Sequence, residues 1–202
     1  MNKELTDNPD ILALFDYGSV VYGTVGSQSD HDLIAVVKDD ALPMNLSKEN
    51  LDVTVYKESQ FKDMVAQHEI SVLECLFLAP RHVHKNTLNI EFKLDKQYLR
   101  SSVSGKSSNS WVKAKKKFIV EEDYNPYIGK KSAWHAVRML DFATQIATDG
   151  KISNYSAMNL LLKEILKCET WEEIDRDFRL TYNMKASEFR LAAPKEVKKF
   201  HP

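Results

Sequence analysis

Two stretches near the N-terminus decide the fold: residues 15–23 read FDYGSVVYG and residues 29–37 read SDHDLIAVV. The first stretch follows a short run of large apolar residues and is interrupted by Gly18, which predicts a buried strand that ends in a turn. The second stretch predicts another strand, in which successive side chains point to opposite faces. We therefore expect Asp30 and Asp32 to share one face, with Cα atoms about 6–7 Å apart, and His31 to point to the other.

The residue types in these stretches suit a triphosphate. Gly18 lets a phosphate approach the backbone closely, and Ser19 begins a predicted helix whose free N–H groups favour an anion. Two carboxylates on one face suit two hard cations, as enzymes that act on nucleoside triphosphates require. The alternative is that Asp30 and Asp32 are ordinary loop and edge-strand residues, because two carboxylates two positions apart are common.

A third carboxylate lies on the next predicted strand. Residues 51–56 read LDVTVY and alternate between polar and apolar side chains. Asp52 therefore shares a strand face with Thr54 and Tyr56. A site of this kind is completed by a general base or a further metal ligand, and Asp52 is the natural candidate.

These residues resemble a known family. The pattern GSxxYG at residues 18–23, followed by SDxD at residues 29–32, is similar to the signature of the nucleotidyltransferase superfamily related to DNA polymerase β. The tyrosine form of the pattern is most similar to the predicted nucleotidyltransferase subfamily linked to RNA repair, found in bacteria and phages. The resemblance is specific over residues 11–37, weaker at Asp52 and only general in the second half of the chain.

The resemblance implies a reaction and a set of site residues. A nucleoside monophosphate would pass from a nucleoside triphosphate, expected to be ATP, to a hydroxyl acceptor such as an RNA end, with release of pyrophosphate and with two Mg²⁺ ions as cofactors. The implied phosphate-binding residues are Gly18, Ser19 and Ser29, and the implied metal-binding and catalytic residues are Asp30, Asp32 and Asp52. Relatives that modify drugs or proteins often carry an arginine after the Gly-Ser pair, whereas this chain has Val20 and Val21.

Two other functions stay open. The chain is also compatible with a non-catalytic module that binds a nucleotide or RNA, or with an enzyme that attaches a nucleotide to a protein partner. Nothing in the sequence fixes the base or the acceptor.

The second half of the chain is helical in pattern. Apolar periodicity predicts helices over residues 111–121, 130–148, 153–167 and 170–190, while the serine-rich residues 101–110 predict a flexible loop or linker. We therefore predict an α+β protein, with a small mixed β-sheet nucleotidyltransferase domain at 1–100 and an all-helical domain at 101–202.

A basic stripe lies on one of these predicted helices. Spacings of four and three place Lys131, His135 and Arg138 on one face of an otherwise apolar helix. Such a stripe faces an anion, a cleft or water, and its position in the chain suits a second lobe that neutralises the nucleotide phosphates. The alternative is a solvated stripe or a salt bridge to Asp141.

Two further groups of residues are weaker candidates for binding sites, one for a polynucleotide and one for a metal ion. Lys106, Lys113 and Lys116 belong to a basic patch with flanking aromatic residues, which could bind a polynucleotide backbone, although a solvated helix face is the commoner explanation. His82 and His84 could offer two imidazoles to a transition metal. No third ligand lies nearby in the sequence, so we expect a strand end near solvent.

Composition limits the class of protein. The chain has 202 residues and a formal net charge of −1, so any affinity for nucleic acid must come from local clusters. It contains no apolar run of about 18 residues, and its N-terminus lacks the pattern of a signal peptide. We therefore expect a cytoplasmic protein that does not enter a membrane, with Cys75 and Cys168 reduced in the core.

Overall fold

The computed structural model describes residues 3–26 and 29–195. Contacts within the chain divide it into two compact units, Met1–Lys93 and Leu94–Pro202. Among the described residues, the first unit contains a sheet with short helices and the second contains helices without strands, so the predicted α+β fold class is confirmed. None of the helices in the described ranges is both long enough and apolar enough to span a membrane.

The first unit is built around four strands. Its elements are α1 (Lys3–Asp7), β1 (Ile11–Tyr17), α2 (Ser19–Tyr22), β2 (His31–Val37), β3 (Leu51–Lys57), α3 (Glu58–Ala66), α4 (Ile70–Leu76) and β4 (Val83–Asn86). The strand order is β3-β2-β1-β4. Strand β1 pairs antiparallel with β2 and β4, whereas β2 and β3 are parallel, so the sheet is mixed as predicted.

The two faces of this sheet carry different residues at the end where β1 stops and β2 begins. Tyr17 lies opposite Asp32 and Asp16 lies opposite Leu33. Residues directly opposite one another share a face, so Asp32 lies on one face and Asp16 on the other. We call these the carboxylate face and the reverse face.

Apolar side chains cover both faces away from this end. On the carboxylate face, Phe61 of α3 packs against Phe15 and Tyr56, with ring centroids 6.3 Å away in each case. On the reverse face a cluster of buried residues surrounds Leu14 and Leu33 and includes Leu5 of α1. The strands are thus held by burial along their length, while polar residues gather at one end.

The described part of the second unit, residues 94–195, contains four helices. They are α5 (Lys96–Ile119), α6 (Pro126–Asp149), α7 (Asn159–Ile165) and α8 (Trp171–Ala192), with a 3₁₀ turn at Glu121–Asp123. Side-chain caps set the starts of three of them: Asp95 caps α5, Asn125 caps α6, and Thr170 forms a capping box with Glu173 at α8. Gly150 ends α6 in the left-handed conformation.

The serine-rich segment is not a linker. Residues 101–110 lie inside α5, so the prediction of a flexible loop there was wrong. The buried residues of this helix recur every three or four positions and form one packed face: Leu99, Val103, Ser107, Trp111 and Ala114. The Ser107 hydroxyl donates to the carbonyl of Ala136 at 2.9 Å, so a small polar residue closes the contact between α5 and α6. Here helical periodicity outweighs a composition that is typical of loops.

Candidate functional site

Gly18 and Asp32 are in direct contact. Gly18 has φ of 64° and ψ of −138°, a conformation that favours glycine. A Cβ atom at this position would lie 2.1 Å from Oδ2 of Asp32 and 3.0 Å from its Cγ. The Asp32 carboxylate therefore lies against the backbone of Gly18, and any side chain at position 18 would displace it.

Asp52 lies beside Asp32. The two residues are register partners on the parallel strands β2 and β3, and neighbouring strands are about 4.8 Å apart. Register partners in a parallel pair point to the same face, so both carboxylates lie on the carboxylate face. Asp52 is exposed, and its Oδ1 accepts a hydrogen bond from the Ser47 hydroxyl at 3.1 Å. Asp30 is also exposed and immediately precedes β2.

The donor chemistry of this pair fits a magnesium ion. Mg²⁺ is usually bound by one or two carboxylates together with substrate phosphates and water, rather than by a cage of protein ligands. Within residues 3–26 and 29–195, no group of three or more His, Cys, Asp or Glu side chains is placed so that it could by itself hold a metal ion. Asp32 and Asp52 are thus two residues of this face that could hold such an ion together with ligands from outside the protein.

The turn after β1 differs in part from the sequence-based expectation. Helix α2 is a single turn of four residues, so aligned peptide dipoles contribute little at Ser19. The Ser19 hydroxyl is buried and has no hydrogen-bond partner among the described residues, which leaves it able to bind a ligand atom. The Ser29 hydroxyl accepts from the backbone N–H of Gly26 at 2.9 Å and so closes the following loop.

The tyrosine of the motif anchors this turn. The Tyr22 hydroxyl donates to Oε2 of Glu74 at 2.5 Å, and both residues are buried. Glu74 belongs to α4, so the bond ties α2 to a helix more than fifty positions away in the chain. Glu74 lies inside an apolar run of the sequence, and nothing in that run indicates Tyr22 as its partner.

A second polar group lies on the reverse face at the same end of the sheet. Asp16 is 5% exposed and accepts hydrogen bonds from Nε2 of His31 at 2.9 Å, Nδ1 of His82 at 2.9 Å and Nε2 of His84 at 2.6 Å. We call these four residues the aspartate–histidine cluster. The expectation that His82 and His84 lie near solvent at a strand end was wrong, because their side chains are only 11% and 8% exposed.

The protonation of this cluster follows from its hydrogen bonds. The Nε–H of Arg81 donates to Nε2 of His82 at 3.0 Å, so that nitrogen carries no proton and Nδ1 is the nitrogen that donates to Asp16. Burial alone would raise the pKa of Asp16, but the hydrogen bonds from the three imidazoles lower it below the usual value. Asp16 is therefore a carboxylate at neutral pH. The sequence contained one indication of this cluster, a lone aspartate in a buried apolar strand.

The basic stripe of the second unit lies on α6. The Arg138 guanidinium is buried, with its carbon 4.7 Å from the ring centroid of Trp134, and it donates to Nδ1 of His135 at 2.8 Å. Burial lowers the pKa of His135 to about 3, with further contributions from Arg138 and the nearby lysines Lys113 and Lys106. At neutral pH His135 is therefore uncharged, which corrects the expectation that it supplies a positive charge.

The pKa of His135 also connects two groups that the sequence treated separately. Lys106 and Lys113 of α5 act on His135 electrostatically, so they belong to the same neighbourhood of the second unit as Arg138. Lys131 is exposed and its Nζ lies 5.4 Å from the ring centroid of Tyr127, while Lys116 is exposed on α5. The stripe and part of the lysine patch thus form one basic region.

Comparison with known proteins finds a likeness to a solved structure. No family model and no curated protein matches the sequence. Among solved structures, the chain is similar to spectinomycin adenyltransferase from Enterococcus faecialis, whose crystal structure contains ATP and spectinomycin. The two chains are 12% identical with a TM-score of 0.43, and the match covers 93% of this chain and 96% of that one. A likeness at this level transfers no function to the present chain.

Proposed function

We propose that the chain is a magnesium-dependent nucleotidyltransferase of the superfamily related to DNA polymerase β, within the subfamily linked to RNA repair. It moves a nucleoside monophosphate from a triphosphate, expected to be ATP, to a hydroxyl acceptor, expected to be an RNA end. The observation that carries the proposal is the contact between the Asp32 carboxylate and the backbone of Gly18, with Asp52 in register beside it. This contact places the Asp32 carboxylate against the turn to which the phosphates are assigned.

The turn after β1 is assigned to the phosphates. The absence of a side chain at Gly18 leaves room for the Asp32 carboxylate against the peptide backbone, so the phosphates are assigned to the turn beside that carboxylate. The buried hydroxyl of Ser19 can donate to a phosphate oxygen, which would satisfy a polar group that is costly to bury alone. Ser29, in the loop before Asp30, is assigned to the same nucleotide.

The carboxylates are assigned to metal binding and to the acceptor. Asp30, Asp32 and Asp52 would hold two Mg²⁺ ions, which supply charge neutralisation at the triphosphate when bound. Asp52 also orients the acceptor hydroxyl and accepts its proton. The acceptor oxygen then forms a bond to the α-phosphorus, the bond from that phosphorus to the β-phosphate oxygen breaks, and pyrophosphate leaves. Positioning and charge stabilisation are the main needs of such a transfer.

The basic region of the second unit is assigned to phosphate groups. Lys131 and Arg138 carry positive charge, and His135 orients Arg138 through the hydrogen bond described above. Lys106, Lys113 and Lys116 are assigned more weakly to the backbone of an RNA acceptor.

The proposal is tested with triphosphates labelled at the α-phosphate. Each of the four ribonucleoside triphosphates is incubated with the protein, Mg²⁺ and cell extract, and the RNA, protein and small-molecule fractions are then separated. We expect label in the RNA fraction, lost when EDTA replaces Mg²⁺ and lost in Asp32→Asn. Label in the protein or small-molecule fraction would overturn the RNA acceptor but keep the reaction, and tight nucleotide binding without label in any fraction would favour a binding module.

A further inference from the structure

The aspartate–histidine cluster joins four elements behind the proposed site. Asp16 belongs to the end of β1, His31 to the start of β2, His82 to the 3₁₀ turn Pro80–His82, and His84 to β4. Both oxygens of Asp16 are used, since Oδ1 accepts from His31 and His84 and Oδ2 accepts from His82. The cluster therefore braces the end of the sheet from the reverse face.

Within this cluster, His31 is the residue that lies between Asp30 and Asp32 in the sequence. Its ring bonds Asp16 at 2.9 Å, and its backbone N–H donates to the carbonyl of Asn50 at 3.0 Å. Asn50 immediately precedes β3, which carries Asp52. His31 is thus attached to β1 through its side chain and to the start of β3 through its backbone.

Packing alone does not account for a carboxylate at position 16. Replacing buried ionic groups with apolar side chains of similar volume is often neutral or stabilising. An apolar side chain at position 16 would therefore pack at least as favourably as a carboxylate with three imidazole partners. Hydrogen bonds to a charged acceptor are short and directional, which suits them to fixing the position of a neighbouring segment.

We propose that Asp16 and His31 are positioning residues, whose hydrogen bond fixes the backbone at residues 30–32 so that the Asp30 and Asp32 carboxylates are preorganised for a divalent cation and its triphosphate. This inference rests on the proposed function for the identity of the ligand. Outer residues that orient metal ligands act in the same way in other metal sites. Neither Asp16 nor His31 touches the nucleotide in this scheme.

The same two strands offer a matched control at their other end. Lys38 follows β2 and Asp10 precedes β1, and Nζ of Lys38 lies 3.1 Å from Oδ1 of Asp10. Both side chains are 42% exposed. Lys38→Met therefore removes an ion pair between the residues that flank β1 and β2 at this end, without reaching residues 30–32. His31→Ala removes the hydrogen bond between His31 and Asp16 beside those residues. His31→Gln keeps an N–H group that can donate to Asp16.

The first measurement is the affinity for Mn²⁺ in the presence of a triphosphate, followed by electron paramagnetic resonance. We expect His31→Ala to weaken Mn²⁺ binding by about tenfold or more, the usual cost of losing an outer-sphere partner. His31→Gln should recover most of the affinity, and Lys38→Met should stay within about twofold of the wild type. Equal affinities for His31→Ala and the wild type would overturn the inference.

The second measurement does not depend on the metal. The backbone amides at positions 31 and 33 should exchange their hydrogens about tenfold faster in His31→Ala than in the wild type, as expected when a hydrogen bond to a charged group is lost. In His31→Gln the exchange rates should return toward those of the wild type. Failure of the wild type to bind Mn²⁺ with any triphosphate would count against the proposed function. Unchanged exchange in His31→Ala would count against the positioning role, whatever the result for Mn²⁺.

Discussion

Asp16 and Asp32 occupy neighbouring positions in the same sheet and have different surroundings. Asp16 is buried on the reverse face and accepts hydrogen bonds from three histidines, so the protein itself supplies its partners. Asp32 lies against a glycine backbone on the carboxylate face, beside the exposed Asp52. Asp16 is therefore enclosed in the internal framework of the sheet, whereas Asp32 lies beside an exposed carboxylate, which is where we propose that the ligand binds.

The largest effect is expected for a change on the carboxylate face. Asp52→Asn should lower the rate of nucleotidyl transfer by about 10²–10⁴-fold, the usual contribution of a general base. Its free energy of unfolding should change by less than about 0.5 kcal/mol because the residue is exposed. Steady-state kinetics and urea unfolding measure the two quantities. Asp40→Asn, at the exposed loop beyond β2, is the control, and a large loss of stability in Asp52→Asn would place that residue in the framework instead.

A smaller effect on activity, together with a loss of stability, is expected when the contact between Gly18 and Asp32 is disturbed. Gly18→Ala places a methyl group where Oδ2 of Asp32 lies and forces a left-handed conformation on alanine. We expect activity to fall by about 10²-fold, since displacement of a catalytic group by about 1 Å has this cost. The free energy of unfolding should fall by about 1–3 kcal/mol.

Gly105→Ala is the matched control for that variant. A Cβ atom at Gly105 would meet no atom within 4 Å, and the residue lies inside α5. This substitution should raise the free energy of unfolding by about 0.5–1 kcal/mol and leave activity unchanged. Full activity in Gly18→Ala would show that the close contact with Asp32 has no part in the reaction.

The smallest effect on activity is expected on the reverse face, where the main result is a loss of stability. Asp16→Asn removes the charge that three imidazoles share, and we expect the free energy of unfolding to fall by about 2–3 kcal/mol at neutral pH. Activity should fall by about tenfold through the loss of positioning. A variant with wild-type stability would contradict the framework role of Asp16.

The loss of stability in Asp16→Asn should depend on pH in a defined direction. The hydrogen bonds from the imidazoles hold the pKa of Asp16 below its usual value against the effect of burial, so the folded state favours the carboxylate. The resulting stability is fully present above the unfolded-state pKa of about 3.9 and is lost as pH falls through the lower folded-state pKa. The stability difference between wild type and Asp16→Asn should therefore shrink below about pH 4, which thermal unfolding across pH 3–7 would measure.

Local patterns in the sequence were enough to predict β1, β2 and β3 and much of the fold, but not β4. The apolar run before Gly18 and the alternation after Leu51 predicted β1 and β3, and four helices were expected where α5 to α8 lie. These predictions succeeded because periodicity and burial act over a few neighbouring residues. Prediction of a loop at residues 101–110 failed because serine content was given more weight than the spacing of Leu99, Val103 and Trp111.

The residues around the site were harder to predict. The sequence placed Asp30, Asp32 and Asp52 on strands by alternation, but the register that pairs Asp32 with Asp52 depends on the parallel arrangement of β2 and β3. Asp16 and its partners His82 and His84 are more than sixty positions apart, and no local pattern connects them. The neutral state of His135 likewise depends on burial and on charges from another helix.

The most direct test is Mg²⁺-dependent release of pyrophosphate from each triphosphate, with cell extract as the source of acceptor, in the wild type and in the double variant Asp30→Asn/Asp32→Asn. Asp10→Asn serves as the control, because it changes an exposed aspartate at the other end of the sheet. We predict pyrophosphate release by the wild type and the control, and at least about a 10³-fold lower rate in the double variant. Equal release by the wild type and the double variant would contradict the assignment of these carboxylates to nucleotidyl transfer.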